Sequence, residues 1–234
     1  MAISKTAINE ETNPYTHSFG NVHSDLKSIV DNQRNYLRMK RFMDIIGTLF
    51  GLLLLSPLLL FVSLLIKLDD PHGRAIFKQI RVGQNGKLFY IYKFRSMVVN
   101  AEDMLDELVD KNETSGAMFK MKNDPRVTRI GHFLRKTSLD ELPQLFNVLK
   151  GNMSLVGPRP PLPREVKKYT DYDKQRLLVT PGCTGLWQVS GRSSLGFKEM
   201  VKLDLNYINR RNLFVDIQII FKTVLLLFGS RNAF

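Results

Sequence analysis

One stretch decides the fold of this chain: IIGTLFGLLLLSPLLLFVSLLI at residues 45–66, which contains no charged side chain. As a helix it would extend about 33 Å, at about 1.5 Å per residue. The hydrocarbon core of a bilayer is about 30 Å thick, so the stretch is long and apolar enough to cross it. A transmembrane helix is therefore the default prediction.

Two features argue against that default. Ser56 and Pro57 stand at the middle of the stretch, where the proline lacks an N–H and clashes with the carbonyl of Leu53. Basic residues flank the stretch on both sides, which under the positive-inside rule places both ends in the cytoplasm. They are Arg34, Arg38, Lys40 and Arg41 before it, and Lys67, Arg74, Lys78 and Arg81 after it. A re-entrant helix that enters, breaks and returns fits both features, and a Pro-kinked spanning helix stays open as the alternative.

Three regions follow from this anchor. Residues 1–38 are rich in Asn, Thr, Ser and Glu and are predicted to be a polar tail, disordered or partly helical. Residues 39–70 are predicted to form the re-entrant membrane hairpin. Residues 71–234 are predicted to form a domain of mixed α/β (α+β) class on the cytoplasmic face. Its last helix, at 213–228, lies either in the membrane interface or in the core.

Within the cytoplasmic domain, apolar alternation predicts strands at 75–82 and 88–94, joined as a β-hairpin through the turn Gly83-Gln84-Asn85-Gly86. Residues 100–111 are predicted to form an acidic helix. Residues 112–125 are predicted to form a loop, long enough to move over a site.

The charge of the chain implies an anionic partner. A formal net charge of +12 over 234 residues fits nucleic acid, an anionic membrane surface or a phosphorylated substrate. The lone Cys183 excludes an intrachain disulfide, and the four His are too scattered for zinc-ligand spacing. The first residues are polar, so no cleavable signal peptide is expected.

A second informative stretch is TSLDELPQLFN at residues 137–147, predicted to begin an amphipathic helix. One helical stripe is apolar and holds Leu139, Leu142, Leu145, Phe146 and Leu149; Asp140, Gln144 and Asn147 lie opposite, so Asp140 is expected to face away from the core. Ser138 and Glu141 have the spacing of a capping box. A capping box assigns no role to Asp140. This residue lies at the start of the predicted helix, where backbone N–H groups can orient a carboxylate or a phosphate.

Basic residues beside turn-forming residues point to phosphate binding. They are Lys93 and Arg95 in Lys93-Phe94-Arg95-Ser96-Met97, Arg159 in Gly157-Pro158-Arg159-Pro160, and Arg192 after Gly191. Arginine on a rigid turn suits bidentate phosphate binding. No P-loop, Gly-x-Gly-x-x-Gly, Gly-x-Ser-x-Gly or zinc-protease motif is present. Among the classes of chemistry considered, phosphate chemistry by acidic and basic side chains remains.

These motifs, in this order, resemble a bacterial sugar transferase of the small monotopic phosphoglycosyl transferase type, from about Met39 to the C-terminus. The residues that carry the resemblance are Lys40-Arg41-x-x-Asp44, Ser56-Pro57, Tyr92-Lys93-Phe94-Arg95-Ser96-Met97, Ser138-Leu139-Asp140-Glu141-Leu142-Pro143-Gln144, Val156-Gly157-Pro158-Arg159-Pro160, and Pro181-Gly182-x-Thr184-Gly185-Leu186-Trp187-Gln188-Val189-Ser190-Gly191-Arg192. The several N-terminal spanning helices of larger relatives are not seen, so a minimal catalytic form is expected.

The resemblance implies transfer of a sugar-1-phosphate from a UDP-sugar, UDP-galactose or UDP-glucose, to undecaprenyl phosphate, with release of UMP. This step would start an exopolysaccharide, a capsule or another surface glycan. Asp140 would be the nucleophile and would hold Mg²⁺ together with Glu141. Phosphate and substrate would be bound by Lys93, Arg95, Arg159, Gln188 and Arg192. Lys40 and Arg41 would fix the depth of a monotopic enzyme on the cytoplasmic face of the bacterial inner membrane.

Two other classes of function stay open at this point. A basic nucleic-acid-binding protein fits the charge, but the charges flank an apolar hairpin and no nucleic-acid-binding motif appears, so no nucleic-acid partner is expected. A non-catalytic membrane scaffold would use the hairpin only as an anchor. Gly47 and Gly51 have a spacing typical of close helix packing or of a homodimer.

Overall fold

The computed structural model describes residues 24–111, 121, 123–191 and 195–229. Its α-helices are α1 Ser24–Asp31, α2 Arg34–Asp69, α3 Arg129–Lys136, α4 Leu145–Leu149, α5 Pro163–Val166, α6 Asp171–Lys174, α7 Leu186–Ser190, α8 Phe197–Arg210 and α9 Leu213–Gly229. Its strands are β1 Ile76–Val82, β2 Leu88–Phe94, β3 Ser154–Val156 and β4 Gly182–Thr184. The predicted loop lies mostly outside the described residues.

The predicted β-hairpin is confirmed. Strands β1 and β2 pair antiparallel, from Ile76 opposite Phe94 to Val82 opposite Leu88. The turn between them is a 3₁₀ helix, Gln84–Gly86, in which Asn85 and Gly86 have φ angles of 53° and 78°. Asn and Gly tolerate positive φ, which explains why the turn forms there. The predicted acidic helix is a 3₁₀ helix, Asp103–Lys111.

Helix α2 contains the apolar stretch and continues through Pro57 as one element of 36 residues. Pro57 has no N–H to donate to the carbonyl of Leu53, but the Ser56 hydroxyl donates to that carbonyl at 2.9 Å. Serine therefore replaces the hydrogen bond that proline removes, so the predicted interruption of helical structure is not seen. Within the described residues, α2 is the one helix long and apolar enough to cross a membrane.

One side of α2 packs against the rest of the protein along much of its length. A Cβ on Gly47 would lie 3.0 Å from Leu155, and one on Gly51 would lie 3.8 Å from Leu145, so the glycine spacing is accounted for by packing within the chain. Further along, Val62 is buried in a cluster with Phe94, Ile66 and Leu134. The opposite side exposes Ile46, Leu49, Phe50, Leu53, Leu54, Leu60, Phe61 and Leu64.

Buried polar contacts fasten the start of α2 to α9. Lys40 forms an ion pair of 2.9 Å with Asp216, whose side chain is fully buried. Tyr36 and Tyr207 also donate hydrogen bonds to the carboxylate of Asp216, at 2.9 Å and 2.7 Å. Both oxygens of the buried carboxylate thus have partners, and its charge is balanced by Lys40, as burial requires. The predicted C-terminal helix is confirmed as α9, with Ile219 in the core and Phe221 exposed.

The polar N-terminal region contributes to the core. Leu26 and Val30 of α1 are buried with Val201 and Leu205 of α8. Residues 24–38, which the sequence assigned to the polar tail, thus form α1 and the beginning of α2. Residues 1–23 lie outside the described part of the chain.

Candidate active site

The stretch around Asp140 folds as a 3₁₀ helix, Leu139–Gln144, followed directly by α4. The predicted capping box is wrong: Ser138 has a φ of 57° and its side chain makes no capping hydrogen bond. The predicted orientation is wrong as well. Asp140, Gln144 and Asn147 are 7%, 4% and 0% exposed, so the polar stripe faces the interior.

Strand β2 explains this inverted orientation. Its edge away from β1 is completed by Asn147, whose Nδ2 donates to the carbonyl of Tyr90 at 2.7 Å while the N–H of Tyr92 donates to Oδ1 at 2.9 Å. The apolar stripe instead faces helix α2, with Leu145 beside Gly51. Because this segment lies between the edge of β2 and the apolar helix α2, its polar side is buried against the strand.

Asp140 and Glu141 lie beside Lys93 of β2. The Lys93 ammonium forms an ion pair of 2.5 Å with Glu141. Burial, together with the charge of Glu141, raises the pKa of Asp140 to about 6, against the opposing charges of Lys93 and Arg135. Desolvation also raises the pKa of Glu141, but Lys93, Arg159 and Arg81 outweigh it and hold that pKa below its usual value. At neutral pH Glu141 is therefore ionised, whereas the pKa of Asp140 lies much closer to neutral pH than that of an ordinary carboxyl group.

Arg135 belongs to this site although the sequence analysis did not select it. Its Nε donates to the Ser96 hydroxyl at 3.0 Å, and its charge lowers the pKa of Asp140. Burial lowers the pKa of Arg135 itself, against the charges of Asp140 and Asp124. Its place near the end of a short amphipathic helix, five residues before Asp140, was the signal available.

A cleft opens beside Glu141 and brings together four of the predicted site residues. It is lined by Lys93, Glu141, Arg159 and Gln188, and by Arg81, Ile91, Gln144, Pro160, Gly182 and Cys183. Arg81 and Gln144 were not predicted as site residues. Strand alternation carried a signal for Arg81, because it lies opposite Phe89 and therefore on the same face of the hairpin as Lys93.

Two predicted phosphate-binding residues are not placed in this cleft. Arg95 forms an ion pair of 3.1 Å with Asp70 and donates to its carbonyl, which fastens the end of α2 to the end of β2. Arg192 lies outside the described residues.

Arg41, which was predicted to fix the depth of the protein in the membrane, donates to the carbonyls of Val148 and Leu149 at the end of α4, at 2.6 Å and 2.9 Å.

The loop that carries Arg159 is held rigidly. Strands β3 and β4 approach so closely that a Cβ on Gly182 would lie 2.0 Å from the backbone nitrogen of Gly157, which makes glycine necessary there. Arg176 donates to the carbonyl of Arg159 at 3.3 Å and forms a buried ion pair of 2.5 Å with Asp204. Arg159 therefore lines the cleft from a backbone segment that is held in place.

The site fits a hard divalent cation bound mainly through a substrate. No group of three or more His, Cys, Asp or Glu suited to a metal occurs within the described residues. Mg²⁺, however, is commonly bound by one or two carboxylates together with substrate phosphates and water. Glu141 is ionised and 43% exposed, and Asp140 is adjacent to it. This pair matches such a site.

Comparisons with known proteins identify the family. The model for the family described as bacterial sugar transferase matches residues 35–230. Galactosyl transferase CpsE of Streptococcus agalactiae is 51% identical over 201 residues, covering 84% of this chain and 44% of that protein. Undecaprenyl-phosphate galactose phosphotransferase of Salmonella typhimurium is 46% identical over 200 residues, covering 84% and 42%.

Both of those relatives are longer than the matched region, and the chain spans less than half of their length. Exopolysaccharide production protein ExoY of Rhizobium meliloti is 41% identical over 199 residues, covering 83% of this chain and 88% of that protein. The match thus includes both the anchor helix and the carboxylate site. The chain belongs to the bacterial sugar transferase family.

Proposed function

We propose that this protein is a phosphoglycosyl transferase that moves a sugar-1-phosphate from a UDP-sugar to undecaprenyl phosphate and releases UMP. The observation that carries the proposal is the buried Asp140 next in sequence to Glu141, whose ion pair with Lys93 lies in a cleft that Arg81 and Arg159 also line. Carboxylates with several basic neighbours suit an anionic diphosphate. The names of the relatives support undecaprenyl phosphate as a substrate and galactose or glucose as the sugar.

Asp140 is the proposed nucleophile. Its carboxylate oxygen attacks the β-phosphorus of the donor, the bond from that phosphorus to the bridging oxygen breaks, and the electron pair leaves with UMP. An oxygen of the lipid phosphate then attacks the phosphorus of the aspartyl phosphosugar and releases the carboxylate. This is covalent catalysis by a carboxylate, with a ping-pong order.

Glu141, with Asp140, is the proposed ligand of Mg²⁺. The bound ion would neutralise diphosphate charge that otherwise repels both the carboxylate and the lipid phosphate. Lys93 donates a hydrogen bond to Glu141 and lowers its pKa, so Glu141 stays ionised at neutral pH and offers a hard oxygen ligand. Lys93 and Arg159 supply further positive charge around the phosphates, and Gln188 adds amide hydrogen-bonding groups.

The proposed topology is a re-entrant α2 with the domain on the cytoplasmic face. Asp44, near the start of α2, accepts a hydrogen bond from Leu155 at 3.0 Å, while Val62 and Ile66 near its end are buried against Phe94. A polar domain that contacts both halves of the helix has to lie on one side of the bilayer. The exposed apolar middle of α2 and the apolar face of α9 would then enter the lipid. The first step of exopolysaccharide or capsule synthesis fits this placement.

The reaction is tested by UMP release. Protein in nanodiscs is incubated with Mg²⁺, undecaprenyl phosphate and a panel of UDP-sugars. We expect UMP from UDP-galactose or UDP-glucose, and a loss of at least roughly 1,000-fold in Asp140→Asn, as for other covalent nucleophiles. Folded wild-type protein that releases no UMP from any donor would favour the scaffold function.

The topology is tested by cysteine labelling. Arg38→Cys and Arg74→Cys place a thiol before and after the apolar stretch, and the parent chain with Cys183 alone is the control. A membrane-impermeant maleimide should label both variants in inside-out vesicles and neither in intact cells. Labelling of the two variants from opposite sides would show a spanning helix.

A further inference from the structure

Arg81 is a buried cation in the wall of the cleft, only 5% exposed. Its Nη1 donates to the carbonyl of Pro160 at 3.0 Å, and its Nη2 donates to Gln79 Oε1 at 2.9 Å. Its Nε is buried and has no hydrogen-bond partner. A guanidinium carries five N–H donors, so Arg81 is held in place with donors to spare. Buried donors without acceptors are costly and point to a missing acceptor.

The charge of the cleft indicates what that acceptor is. Within the described residues no carboxylate forms an ion pair with Arg81, and the ionised Glu141 is already paired with Lys93. Burial, together with the charge of the nearby Arg159, lowers the pKa of Arg81, against the opposing charges of Glu165 and Glu141. Two carboxylates lie near the two guanidinium groups, and both are paired with residues other than Arg81: Glu141 with Lys93, and the buried Glu165 with Arg159 at 3.9 Å. Arg81 is thus left with a charge and free donors that suit an anionic ligand.

The position of Arg81 along the β-hairpin indicates which of the two anionic substrates it contacts. Arg81 and Lys93 lie on one face of the β-hairpin, about four residues or 13 Å apart along it. The Lys93 end continues to Phe94, which packs on Val62 of the membrane helix. The Arg81 end continues to Val82, which packs in a cluster with Val166, Tyr169 and Leu177, away from that helix. Arg81 therefore lies at the end of the cleft remote from the lipid.

We infer that Arg81 binds the phosphate that departs with UMP, and not the phosphate of the lipid acceptor. The inference rests on the proposed function and extends it to a division of the cleft into a donor end and an acceptor end. When the bond from the β-phosphorus to the bridging oxygen breaks, that oxygen gains the electron pair. The free N–H groups of Arg81 stabilise the charge on the departing UMP.

Ping-pong kinetics test this division, because kcat/KM for the UDP-sugar reports the first half-reaction and kcat/KM for undecaprenyl phosphate reports the second. We expect Arg81→Lys to lower the first value roughly 10- to 100-fold, the effect of losing charge-assisted hydrogen bonds, and to leave the second unchanged. In Asp140→Asn protein, adding Arg81→Lys should weaken UMP binding by a similar factor in calorimetry. Lys78→Ala, on the exposed side of the same strand, is the matched control and should change neither value.

The outcomes separate the two proposals. A wild-type protein without UMP release contradicts the proposed function itself. An active wild type whose Arg81→Lys variant loses kcat/KM for the lipid, or loses both values equally, overturns the donor assignment. Should Arg81→Lys lower the melting temperature, the variant Gln79→Ala removes one support of the guanidinium while keeping its charge. A selective loss for the UDP-sugar in Gln79→Ala supports the assignment, and unchanged kinetics overturn it.

Discussion

Asp140 combines the properties that a carboxylate nucleophile needs. Asp140 is only 7% exposed, and its own backbone N–H donates a hydrogen bond to the carboxylate, which favours the ionised form. Lys93 and Arg135 supply positive charge that favours the ionised form against burial. The sequence pointed to Asp140 and Glu141 by their position, but Arg81 and Arg135 depend on long-range contacts with Pro160 and Ser96. Local pattern could place Arg81 on the Lys93 face of the β-hairpin and Arg135 near the end of a helix, but it could not give these long-range contacts.

The first prediction concerns pH. Because the pKa of Asp140 is raised to about 6 and the nucleophile must be ionised, kcat/KM for the UDP-sugar should fall as the pH drops through about 6. Bound Mg²⁺ favours the ionised carboxylates, so higher Mg²⁺ should move the midpoint down. A pH series at several Mg²⁺ concentrations measures this. A flat profile between about pH 5 and about pH 8 at limiting Mg²⁺ would be inconsistent with an Asp140 nucleophile of this pKa.

The second prediction concerns Lys93. Its charge lowers the pKa of Asp140, so Lys93→Met should raise the midpoint of the pH profile above that of the wild type and lower kcat/KM at neutral pH. The control is Lys78→Met, an exposed lysine of the same hairpin that should leave the midpoint unchanged. A midpoint shifted downward in Lys93→Met would show that the ammonium does not act on Asp140.

At the scale of elements, the helix at 139–149 shows why its sequence pattern was misleading. The predicted orientation assumed that the apolar stripe faces the core of a soluble domain. Here the apolar stripe faces α2, and the polar stripe completes the edge of β2 through Asn147. The β-hairpin was predictable because both its turn and its alternation are local signals.

Asn147→Ala tests that pairing. The substitution removes the side-chain partner of the Tyr90 carbonyl and of the Tyr92 N–H, both in part-buried hydrogen bonds, which should cost about 1–3 kcal/mol of unfolding free energy. Asn152→Ala, an exposed asparagine in the following turn, should change stability by less than about 0.5 kcal/mol. Thermal unfolding in detergent compares the two. Equal melting temperatures would mean that Asn147 does not complete the strand edge.

For the whole molecule, the sequence predicted a long apolar helix, the β-hairpin and the C-terminal helix, because each has a strong local pattern. It did not predict how they are joined. Asp216 accepts hydrogen bonds from Tyr36, Lys40 and Tyr207 and fastens α9 to α2. Tyr36 and Lys40 lie about 180 residues before Asp216, and contacts over such a separation leave no signal in a single sequence.

Asp216→Ala tests this connection. The substitution leaves the buried ammonium of Lys40 without its counter-charge, which should cost about 3–5 kcal/mol. Asp171→Ala, which removes an exposed partner of Lys174, is the matched control and should cost less than about 1 kcal/mol. Unfolding in nanodiscs measures both. A variant as stable as the control would show that the contact is not part of what holds α9 on α2.

The central claim is that Asp140 carries the phosphosugar during transfer, and intact-protein mass spectrometry tests it most directly. The wild type is mixed with Mg²⁺ and the active UDP-sugar, without lipid acceptor, and quenched with acid. We predict a mass increase of one sugar phosphate, located on Asp140 by peptide mapping and absent from Asp140→Asn, with one UMP released per protein. Adding undecaprenyl phosphate should remove the adduct. UMP that appears only when the acceptor is present, with no adduct at any time, would contradict the claim.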